Sequence, residues 1–516
     1  MNCFQGLNCY YGDLHNHCNI GYGHGSVEDA LANARLQLDF ACITPHAAWS
    51  DMPPGEGRLA PTVAYHVHGF EQARRGWAHL QSAVREANTP GKFIAFAGFE
   101  WHSMEFGDHH VVFAGEGGRI LPEKGVAEMR RALRELALQD VLAILIPHHI
   151  GYLQGYRGIN WDAFDPEFSP LVEIFSMHGA AESDDAPYPY LHTMGPRDRR
   201  SLLQWGLQQG KRVGVVGSTD HHSAHPGSYG HGRLAVWANG LTRQDIWQGL
   251  LARRTVALTG DKIALAFSIN GAPLGSILPA CPERRIAIEV CGGDAIDSLE
   301  LLKNNRVIQR WSPSLAQEST GWDADKESVK VCFEMGWGER RVNIDWQGIL
   351  EVTGGTIQDI EPRFRGHELV EPQESDETSY QFSRWQRETP GRVSFQTRTW
   401  GNPTSTTANT QAICLELTGT PETEIHAWIN GKSTSARLGD LLEGPKAGYL
   451  GAFLTPAYLF HRAVPKRQYR WSLEFTDKAD PHNAPTGGDW YYVRLRQRNN
   501  QCAWSSPIWV EANGAA

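Results

Sequence analysis

The sequence predicts an α/β fold for the first half of the chain, followed by a mostly β, sandwich-like region. Up to about residue 262, short apolar segments alternate with helix-like segments, a pattern typical of a parallel sheet with crossover helices. Beyond that point, short segments of alternating polarity follow one another between turn residues, as in antiparallel sheets. Histidines mark the same division, since 18 of the 22 precede residue 263. We therefore expect one domain over residues 1–262 and a β-rich region over residues 263–516, long enough for two subdomains.

The predicted elements of the first half alternate between helix and strand. The first helix is the clearest, because Ser26 and Asp29 have the spacing of a capping box and open a helix that runs to Leu38. Apolar spacing and length indicate further helices at 126–138, 197–209 and 242–253. The intervening apolar runs predict buried strands at 40–44, 93–99, 141–146, 171–175, 213–216 and 255–258. In the second half, strands are predicted at 264–269, 285–290, 299–302, 490–496 and 503–510.

Composition excludes several classes of protein. Hydrophobic residues make up 41% and charged residues 21% of the chain, which is ordinary for a globular protein and rules out disorder, collagen and coiled coil. The longest aliphatic run, residues 141–146, is too short to span a bilayer. A net charge of −10 argues against a nucleic-acid-binding surface, since such surfaces are basic. We expect a small-molecule substrate as the partner, with no nucleic acid and no membrane, and homo-oligomerisation stays open.

Cysteine usage bears on the cellular compartment. The nine cysteines include no C-x-x-C pair and do not form the dense, even set of a secreted disulfide framework. The first residues show neither the basic nor the apolar stretch of a signal peptide. We therefore expect a reduced, cytoplasmic protein, although a chain whose leader had been removed would look the same.

Residue types that bind metals recur where the predicted strands end. In Gly12-Asp13-Leu14-His15-Asn16-His17, the two histidines are two residues apart, so on an extended segment both imidazoles face the same side. Further candidates in or after later segments are His24, His46, Glu100, His148, His149, His178, Asp220, His221 and His222. Because active sites of (β/α) barrels form at the rim where the strands end, we expect these side chains to meet. An imidazole-rich site suits Zn, Fe or Mn better than Mg or Ca.

This set of motifs resembles the polymerase and histidinol phosphatase (PHP) superfamily. Over about residues 10–262 the sequence has, in order, the H-x-H opener, Thr44-Pro45-His46, the strand-terminal Glu100, Pro147-His148, the later His178 and the D-x-H closer Asp220-His221-His222. Within the superfamily it looks like a large PHP-type family with a C-terminal β domain that was first catalogued as of unknown function. The resemblance implies a distorted (β/α)7 barrel with two or three divalent metal ions at its rim.

The resemblance also implies how the ligands are shared. His15 and His17 would bind a first metal together with Glu100 and Asp220. Glu100 would bridge to a second metal, held also by His148 or His149 and by His178. A third metal would take His24, His46 and His222. A bridging ligand needs two oxygens, and Glu100 and Asp220 are the only acids among these candidates.

Two features depart from the superfamily pattern or leave it ambiguous. The common T-D-H element is Thr44-Pro45-His46 here, so the histidine is kept and its acidic neighbour is lost. The doubled histidines at 148–149 and 221–222 leave the register open by one residue. We favour His148, and we favour His222 because D-x-H places both side chains on the same side of an extended segment.

The expected chemistry is hydrolysis by a hydroxide that bridges two ions about 3.5–4 Å apart, with a general acid protonating the leaving group. Histidines outside the ligand set are candidates for the acid or for orienting the ligands: His102, His109, His110 and His221. Arg157 and Arg233 follow predicted ligand-bearing strands among glycines and are candidate anion clamps, because arginine offers a bidentate fork to phosphate. An exposed, non-functional arginine is the alternative for each of them.

Three functions are compatible with these residues. A phosphoesterase acting on a small phosphate monoester or diester fits the superfamily and the several cations. Hydrolysis of an amide, lactone or other non-phosphorus bond fits the many aromatic residues of the first half: Trp49, Trp101, Tyr152, Tyr156, Trp161 and Tyr229. A non-catalytic binding protein is the third, and the complete ligand set argues against it.

Overall fold

The computed structural model describes residues 3–190, 194–318, 322, 326–369, 379–401, 409–479, 485 and 487–512. Within these residues the chain forms a mixed α/β structure that is rich in strands. The helices are α1 (Val27–Gln37), α2 (Ala60–Ala87), α3 (Val126–Ala137), α4 (Leu203–Gln208), α5 (Arg243–Leu251), α6 (Leu315–Glu318), α7 (Leu438–Glu443) and α8 (Lys466–Tyr469). Short 3-10 turns cover Gly57–Leu59 and Arg199–Ser201.

The strands of the first half are β1 (Cys3–Phe4), β2 (Leu7–Asp13), β3 (Phe40–Ile43), β4 (His46–Trp49), β5 (Ile94–His102), β6 (His109–Phe113), β7 (Ala143–Pro147), β8 (Leu171–Ser176), β9 (Gly179–Ala180), β10 (Gly214–Gly217), β11 (Arg233–Ala238) and β12 (Thr255–Leu258). Those of the second half are β13 (Ala264–Ile269), β14 (Ala272–Pro273), β15 (Ile277–Leu278), β16 (Glu283–Cys291), β17 (Ile296–Lys303), β18 (Arg306–Trp311), β19 (Glu327–Gly336), β20 (Ile344–Thr353), β21 (Thr356–Arg363), β22 (Arg384–Thr389), β23 (Arg392–Thr399), β24 (Gln411–Gly419), β25 (Glu424–Ile429), β26 (Lys432–Arg437), β27 (Lys446–Tyr449), β28 (Ala457–Phe460), β29 (Val464–Pro465), β30 (Arg470–Lys478), β31 (Asp489–Gln497), β32 (Cys502–Ser505) and β33 (Ile508–Val510).

The first half does not show the predicted (β/α)7 barrel. Strands β2, β3 and β5 are parallel neighbours, and β8 pairs in parallel with β10. However, β11 is antiparallel to both β2 and β12, and β6 is antiparallel to both β5 and β7. The turn 103–108 that joins β5 to β6 contains no crossover helix, so the chain reverses direction there. The parallel core was predictable, whereas the antiparallel insertions lie outside the βα pattern.

Helix α2 is the longest helix in the described part of the chain; the sequence indicates a helix after His68 but not its bounds. Its buried residues Phe70, Ala73, Leu80 and Val84 recur at helical spacing, and this is the signal that identifies it in the sequence. The predicted first helix is present as α1, and its capping box is formed: Asp29 N–H donates to Ser26 Oγ at 3.0 Å, and Ser26 N–H donates to Asp29 Oδ2 at 3.2 Å. The predicted helix 197–209 is shorter in the structure, where it is a 3-10 turn followed by α4.

The second half is built mainly from strands. A six-stranded sheet contains β21-β24-β19-β28-β27, with β29 beside β19, and a five-stranded sheet has the order β22-β23-β20-β25-β26. Apolar side chains of both sheets form one buried core, which includes Val331, Leu415, Leu350 and Phe395. This arrangement of two sheets over a common core has the form of a β-sandwich.

The largest sheet joins both halves of the chain. It has fifteen strands, and its main path is β15-β33-β31-β32-β12-β11-β2-β3-β5-β6-β7. Trp237 of β11 packs in one apolar core with Leu265 and Tyr491, and its indole N–H donates to the Leu265 carbonyl at 2.9 Å. Strands from beyond residue 262 therefore continue the first-half sheet, and the domain boundary at residue 262 stays a prediction. Among the described residues, no helix has the length and apolar character needed to cross a membrane.

Candidate metal centre

The candidate metal centre lies where β2, β3, β5, β7, β8 and β10 end. Each contributes a ligand-type side chain near its carboxyl end, so residues far apart in sequence meet in one place. Its members are buried, none more than 7% exposed: His15, His17, His46, Glu100, His102, Asp108, His110, His148, His149, His178, Asp220 and His222. Ionisable groups that are so deeply buried need partners or a bound ion to be tolerated.

Four of these side chains place one atom each around a common point. We call the following set the primary cage: His15 Nε2, His17 Nε2, Glu100 Oε2 and Asp220 Oδ1. The two nitrogens lie 3.2 Å apart. Glu100 Oε2 is 3.3 Å from each nitrogen, while Asp220 Oδ1 is 3.3 Å from that of His15 and 3.0 Å from that of His17.

Five of the six edges of the primary cage are close to the lengths of a tetrahedral transition-metal site. The edge of a regular tetrahedron is about 1.63 times the distance from centre to corner, so Zn–N and Zn–O distances of about 2.0–2.1 Å require edges near 3.3–3.4 Å. The five measured edges span 3.0 to 3.3 Å. Two imidazole nitrogens and two carboxylate oxygens are also a donor set that such ions accept.

A carboxylate behind the cage sets the orientation of His15. Glu173 lies on β8, is fully buried, and places Oε2 2.9 Å from Nδ1 of His15. With Glu173 ionised, the Nδ1–H of His15 donates to it, and the lone pair of Nε2 faces the cage. A carboxylate that holds the far nitrogen of a ligand histidine is a common feature of metal sites.

A second group surrounds the other oxygen of Glu100. Glu100 Oε1 lies 3.1 Å from His148 Nε2, and Asp108 Oδ2 lies 3.2 Å from His149 Nε2. Glu100, Asp108, His148 and His149 together have the spacing of a metal-binding group. The two oxygens of Glu100 therefore face two neighbouring groups, which is the arrangement that a bridging carboxylate requires. His148 and His149 both reach the centre, so the structure does not separate them as alternatives.

A third group consists of His17, His46 and His222. The Nδ1–H of His222 donates to the backbone carbonyl of Asp220 at 2.8 Å, which leaves its Nε2 as the ligand atom. The ring of His46 stacks on Tyr22, with 3.6 Å between ring centroids. His24 is buried beside this group, and its backbone N–H donates to the His222 carbonyl at 2.7 Å.

His178 lies next to the second oxygen of Asp220, and its ring centroid is 4.5 Å from that of His149. Its Nε2 is 2.8 Å from Asp220 Oδ2, and its Nδ1 is 2.7 Å from the hydroxyl of Tyr152. Asp220 thus contacts His17 through one oxygen and His178 through the other. Of the six aromatic residues proposed to hold an organic substrate, Tyr152 and Trp49 contact histidines of the centre. Trp101 and Trp161 pack in apolar cores instead.

Arg157, a candidate anion clamp, lies beside the centre. Its guanidinium pairs with Asp108, lies 2.7 Å from Nδ1 of His102, and sits over the ring of Trp49 at 5.2 Å. The side chain is 15% exposed, and Nε of Arg157 has no hydrogen-bond partner among the described residues. An arginine with a free donor at a metal centre can bind an anionic group.

Of three candidate catalytic histidines, His110 adjoins the primary cage, whereas His109 and His221 lie away from it. His109 and His110 are neighbours on β6, and successive side chains of a strand point to opposite faces. His110 lies beside His15 and His148, whereas the Nδ1–H of His109 donates to the Gly107 carbonyl and its ring lines a small cavity near Arg130. The buried side chain of His221 points away from the primary cage and packs against His231.

Arg233 also lies elsewhere. It is fully buried, and its guanidinium donates to the Gly227 carbonyl at 2.6 and 2.9 Å and to Gln37 Oε1 at 2.8 Å. These hydrogen bonds occupy its guanidinium within the fold. The sequence could not separate this arrangement from an anion clamp, because both place an arginine after a ligand-bearing segment.

Sequence reasoning missed two acids of the centre. Glu100 and Asp220 were taken as its only carboxylates, yet Asp108 and Glu173 are buried in it as well. Asp108 precedes His109 in the turn between β5 and β6, and Glu173 lies inside an apolar strand. A buried strand rarely carries an unpaired glutamate, and this was the available signal for Glu173.

Two residues of the centre have strained backbones. Asp220 has φ +56° and His149 has φ +30°, in the left-handed region that residues other than glycine avoid. Asp220 is held there by hydrogen bonds, since its N–H donates to the His15 carbonyl at 2.8 Å. Strain of this kind concentrates at functional sites, where the surrounding structure fixes it.

Burial and neighbouring charges oppose each other at the carboxylates. Burial favours the neutral acid, but His46, His102 and His148 hold the pKa of Glu100 well below its usual range. Burial raises the pKa of Glu173 to about 7, against the lowering influence of His15. Glu100 is therefore an anion that can bind a cation at neutral pH.

No protein-family model matches the chain. It is similar to uncharacterized proteins of Chlamydia pneumoniae, at 26% identity over 262 residues, and of Chlamydia trachomatis, at 24% identity over 259 residues. These matches cover 46% and 45% of this chain and 41% and 40% of the relatives. The chain therefore spans about two fifths of the length of the curated relatives it matches.

One solved structure is also similar. It is a two-domain protein from Bacteroides vulgatus ATCC 8482 that contains a predicted PHP-like metal-dependent phosphoesterase. The match has a TM-score of 0.30 and 15% sequence identity, and it covers 58% of this chain and 80% of that chain.

Proposed function

We propose that this protein is a metal-dependent hydrolase of the PHP type, and that it cleaves a small phosphate monoester or diester. The observation that carries the proposal is the primary cage. Its two imidazole nitrogens and two carboxylate oxygens are separated by distances that suit the ligands of a transition-metal ion. The proposal includes two or three Zn, Mn or Fe ions, held by the primary cage and the two groups that adjoin it through Glu100 and His17. Bound divalent ions would supply a hydroxide nucleophile near neutral pH and neutralise charge on the phosphoryl oxygens.

The protein's own groups have separate tasks in this scheme. Arg157 orients the phosphoryl group in this scheme, because its buried Nε–H has no hydrogen-bond partner among the described residues and its guanidinium is held by Asp108. His102 holds or moves a proton at Nε2, which is buried and has no hydrogen-bond partner among the described residues, while Nδ1 contacts Asp108 and Arg157. Glu173, when ionised, keeps His15 in the tautomer that presents the Nε2 lone pair to the cage.

A second candidate function keeps the metals and changes the bond that is cleaved. Asp108 already balances the charge of Arg157, so this arginine does not add a net positive charge for a phosphate dianion. Tyr22, Trp49 and Tyr152 provide aromatic surface beside the centre. These observations favour an amide, lactone or similar bond in a small organic molecule.

A hydrolysis screen separates the two functions. The full chain, reconstituted with Zn2+, Mn2+ or Fe2+, is assayed with p-nitrophenyl phosphate, bis(p-nitrophenyl) phosphate, an amide panel and a lactone panel. We expect phosphate ester cleavage that a chelator abolishes and that the same metal restores. Cleavage of amides or lactones without cleavage of either phosphate would establish the second function and refute the first.

A further inference from the structure

Two of the candidate metal ligands lie on one turn, residues Thr219–Ser223. Backbone hydrogen bonds connect this turn to the H-x-H segment, His15–His17. Asp220 N–H donates to the His15 carbonyl at 2.8 Å, and His17 N–H donates to the His221 carbonyl at 2.8 Å. Asp220 and His222 point into the centre. The buried His221 side chain between them points away from the centre, toward His231. The position of His221 therefore affects both neighbouring ligands.

A segment from the second half of the chain covers the outside of this turn. We call residues Arg363–Leu369 the strap. Ser223 Oγ–H donates to the Leu369 carbonyl at 3.1 Å, and Gly366 N–H donates to Ser228 Oγ at 3.0 Å. Farther along the same loop, Tyr229 N–H donates to the Phe364 carbonyl at 2.9 Å.

Side-chain contacts fix the strap to the loop as well. Arg365 donates through Nη1 to the Tyr229 carbonyl at 2.8 Å. Glu368 Oε1 lies 3.1 Å from Nε2 of His231, whose ring packs on His221 at 5.5 Å between centroids. Backbone and side chains of the strap thus hold the loop 223–231 that continues directly from the ligand turn.

Gly366 lies at the closest approach between the strap and the turn. A Cβ at this position would lie 2.5 Å from Cε1 of His221 and 2.5 Å from Cβ of His225, so the neighbours would have to shift. The φ angle of Gly366 is outside the left-handed region, so glycine is required for space and not for backbone conformation.

We propose that the strap is a positioning element of the metal centre, which sets Asp220 and His222 by packing Gly366 against His221. The second half of the chain would then complete the metal centre of the first half. This inference rests on the proposed function insofar as the centre binds metal, but it does not depend on the bond that is cleaved.

The test compares metal binding by full-length variants. Gly366→Ala adds one methyl group against His221, and Gly444→Ala is the matched control, because a Cβ at residue 444 has no heavy atom within 4 Å. Each protein is titrated with Co2+, which reports affinity and, through its d–d absorption spectrum, ligand geometry. We expect Gly366→Ala to bind Co2+ about 10-fold more weakly with an altered spectrum, and Gly444→Ala to match the wild type.

Ser223→Ala keeps the inference testable if Gly366→Ala does not fold. It removes the hydroxyl that donates to the Leu369 carbonyl without adding volume, and we expect a smaller change in the same direction. Wild-type affinity and spectrum in a folded Gly366→Ala variant, or in Ser223→Ala if the former does not fold, would overturn the inference. A wild-type protein that binds Co2+ but cleaves no phosphate ester would overturn the proposed function alone.

Discussion

At the scale of single residues, Glu173 is expected to affect metal affinity through its contact with the ligand His15, without binding the metal itself. It is fully buried and lies 2.9 Å from Nδ1 of His15, so in its ionised form it favours the tautomer with the Nε2 lone pair toward the primary cage. We expect Glu173→Gln to weaken metal binding about 10- to 100-fold, measured by competition with a chromogenic chelator. Glu182→Gln is the control, because Glu182 is equally buried but bonds to Tyr492 and Arg494.

The two variants are expected to differ in what they change. Glu182→Gln removes a charge that pairs with Arg494, so it should lower the free energy of unfolding while leaving metal affinity unaltered. Equal metal affinity in Glu173→Gln and wild type would show that the hydrogen bond to His15 does not orient a ligand.

Arg157 gives a second prediction at this scale. Arg157→Lys keeps the positive charge but loses the planar fork and the Nε donor, so it should bind the phosphoryl group less well. We expect kcat/KM for a phosphate ester to fall roughly 10- to 100-fold, the effect of about 1.5–3 kcal/mol from a hydrogen bond to a charged group. Metal content is measured in parallel, and a fall in metal content that accounts for the lost activity would contradict this role.

At the scale of elements, the alternation of β6 separates two adjacent histidines. His110 faces the centre, and the ring of His109 faces the opposite side, where its Nδ1–H donates to the Gly107 carbonyl at 2.8 Å. We expect His110→Ala to alter metal affinity or turnover and His109→Ala to lower stability in urea with metal binding intact. The opposite result would place β6 in the other register.

Much of the site could be predicted from sequence, because ligand-type residues at the ends of buried strands converge in α/β folds. His15, His17, Glu100 and Asp220 were identified in this way, and the structure brings them together. Asp108 and Glu173 were missed because a turn and a strand interior lack that positional signal. The direction of His221 depends on packing against a strap more than 140 residues away in sequence, which local pattern does not contain.

At the scale of the whole molecule, the sequence predicted the main types of secondary structure in each half of the chain, but not how the strands pair. Alternating polarity predicted five strands of the second half; four of them match single strands, including 490–496 in β31, whereas 503–510 is divided between β32 and β33. It did not predict that β31, β32 and β33 would continue the sheet of the first half, because strand partners across several hundred residues are set by long-range packing.

The shared sheet predicts cooperative unfolding. Because one fifteen-stranded sheet and one apolar core include both halves, thermal unfolding of the full chain should occur in a single transition by circular dichroism and by calorimetry. Loading with metal should raise Tm, because an ion that binds only the folded state stabilises it. Two separate transitions, with only the first shifted by metal, would show that the halves are independent domains.

The central claim is that the primary cage binds metal, and metal analysis of the purified chain tests it most directly. The wild type and the double variant His15→Ala/His17→Ala are stripped, reconstituted with Zn2+, Mn2+ or Fe2+, dialysed and measured by inductively coupled plasma mass spectrometry. The account predicts at least two ions per wild-type chain and the loss of one or more in the variant. Less than one ion per wild-type chain with every metal, or equal content in both proteins, would contradict it.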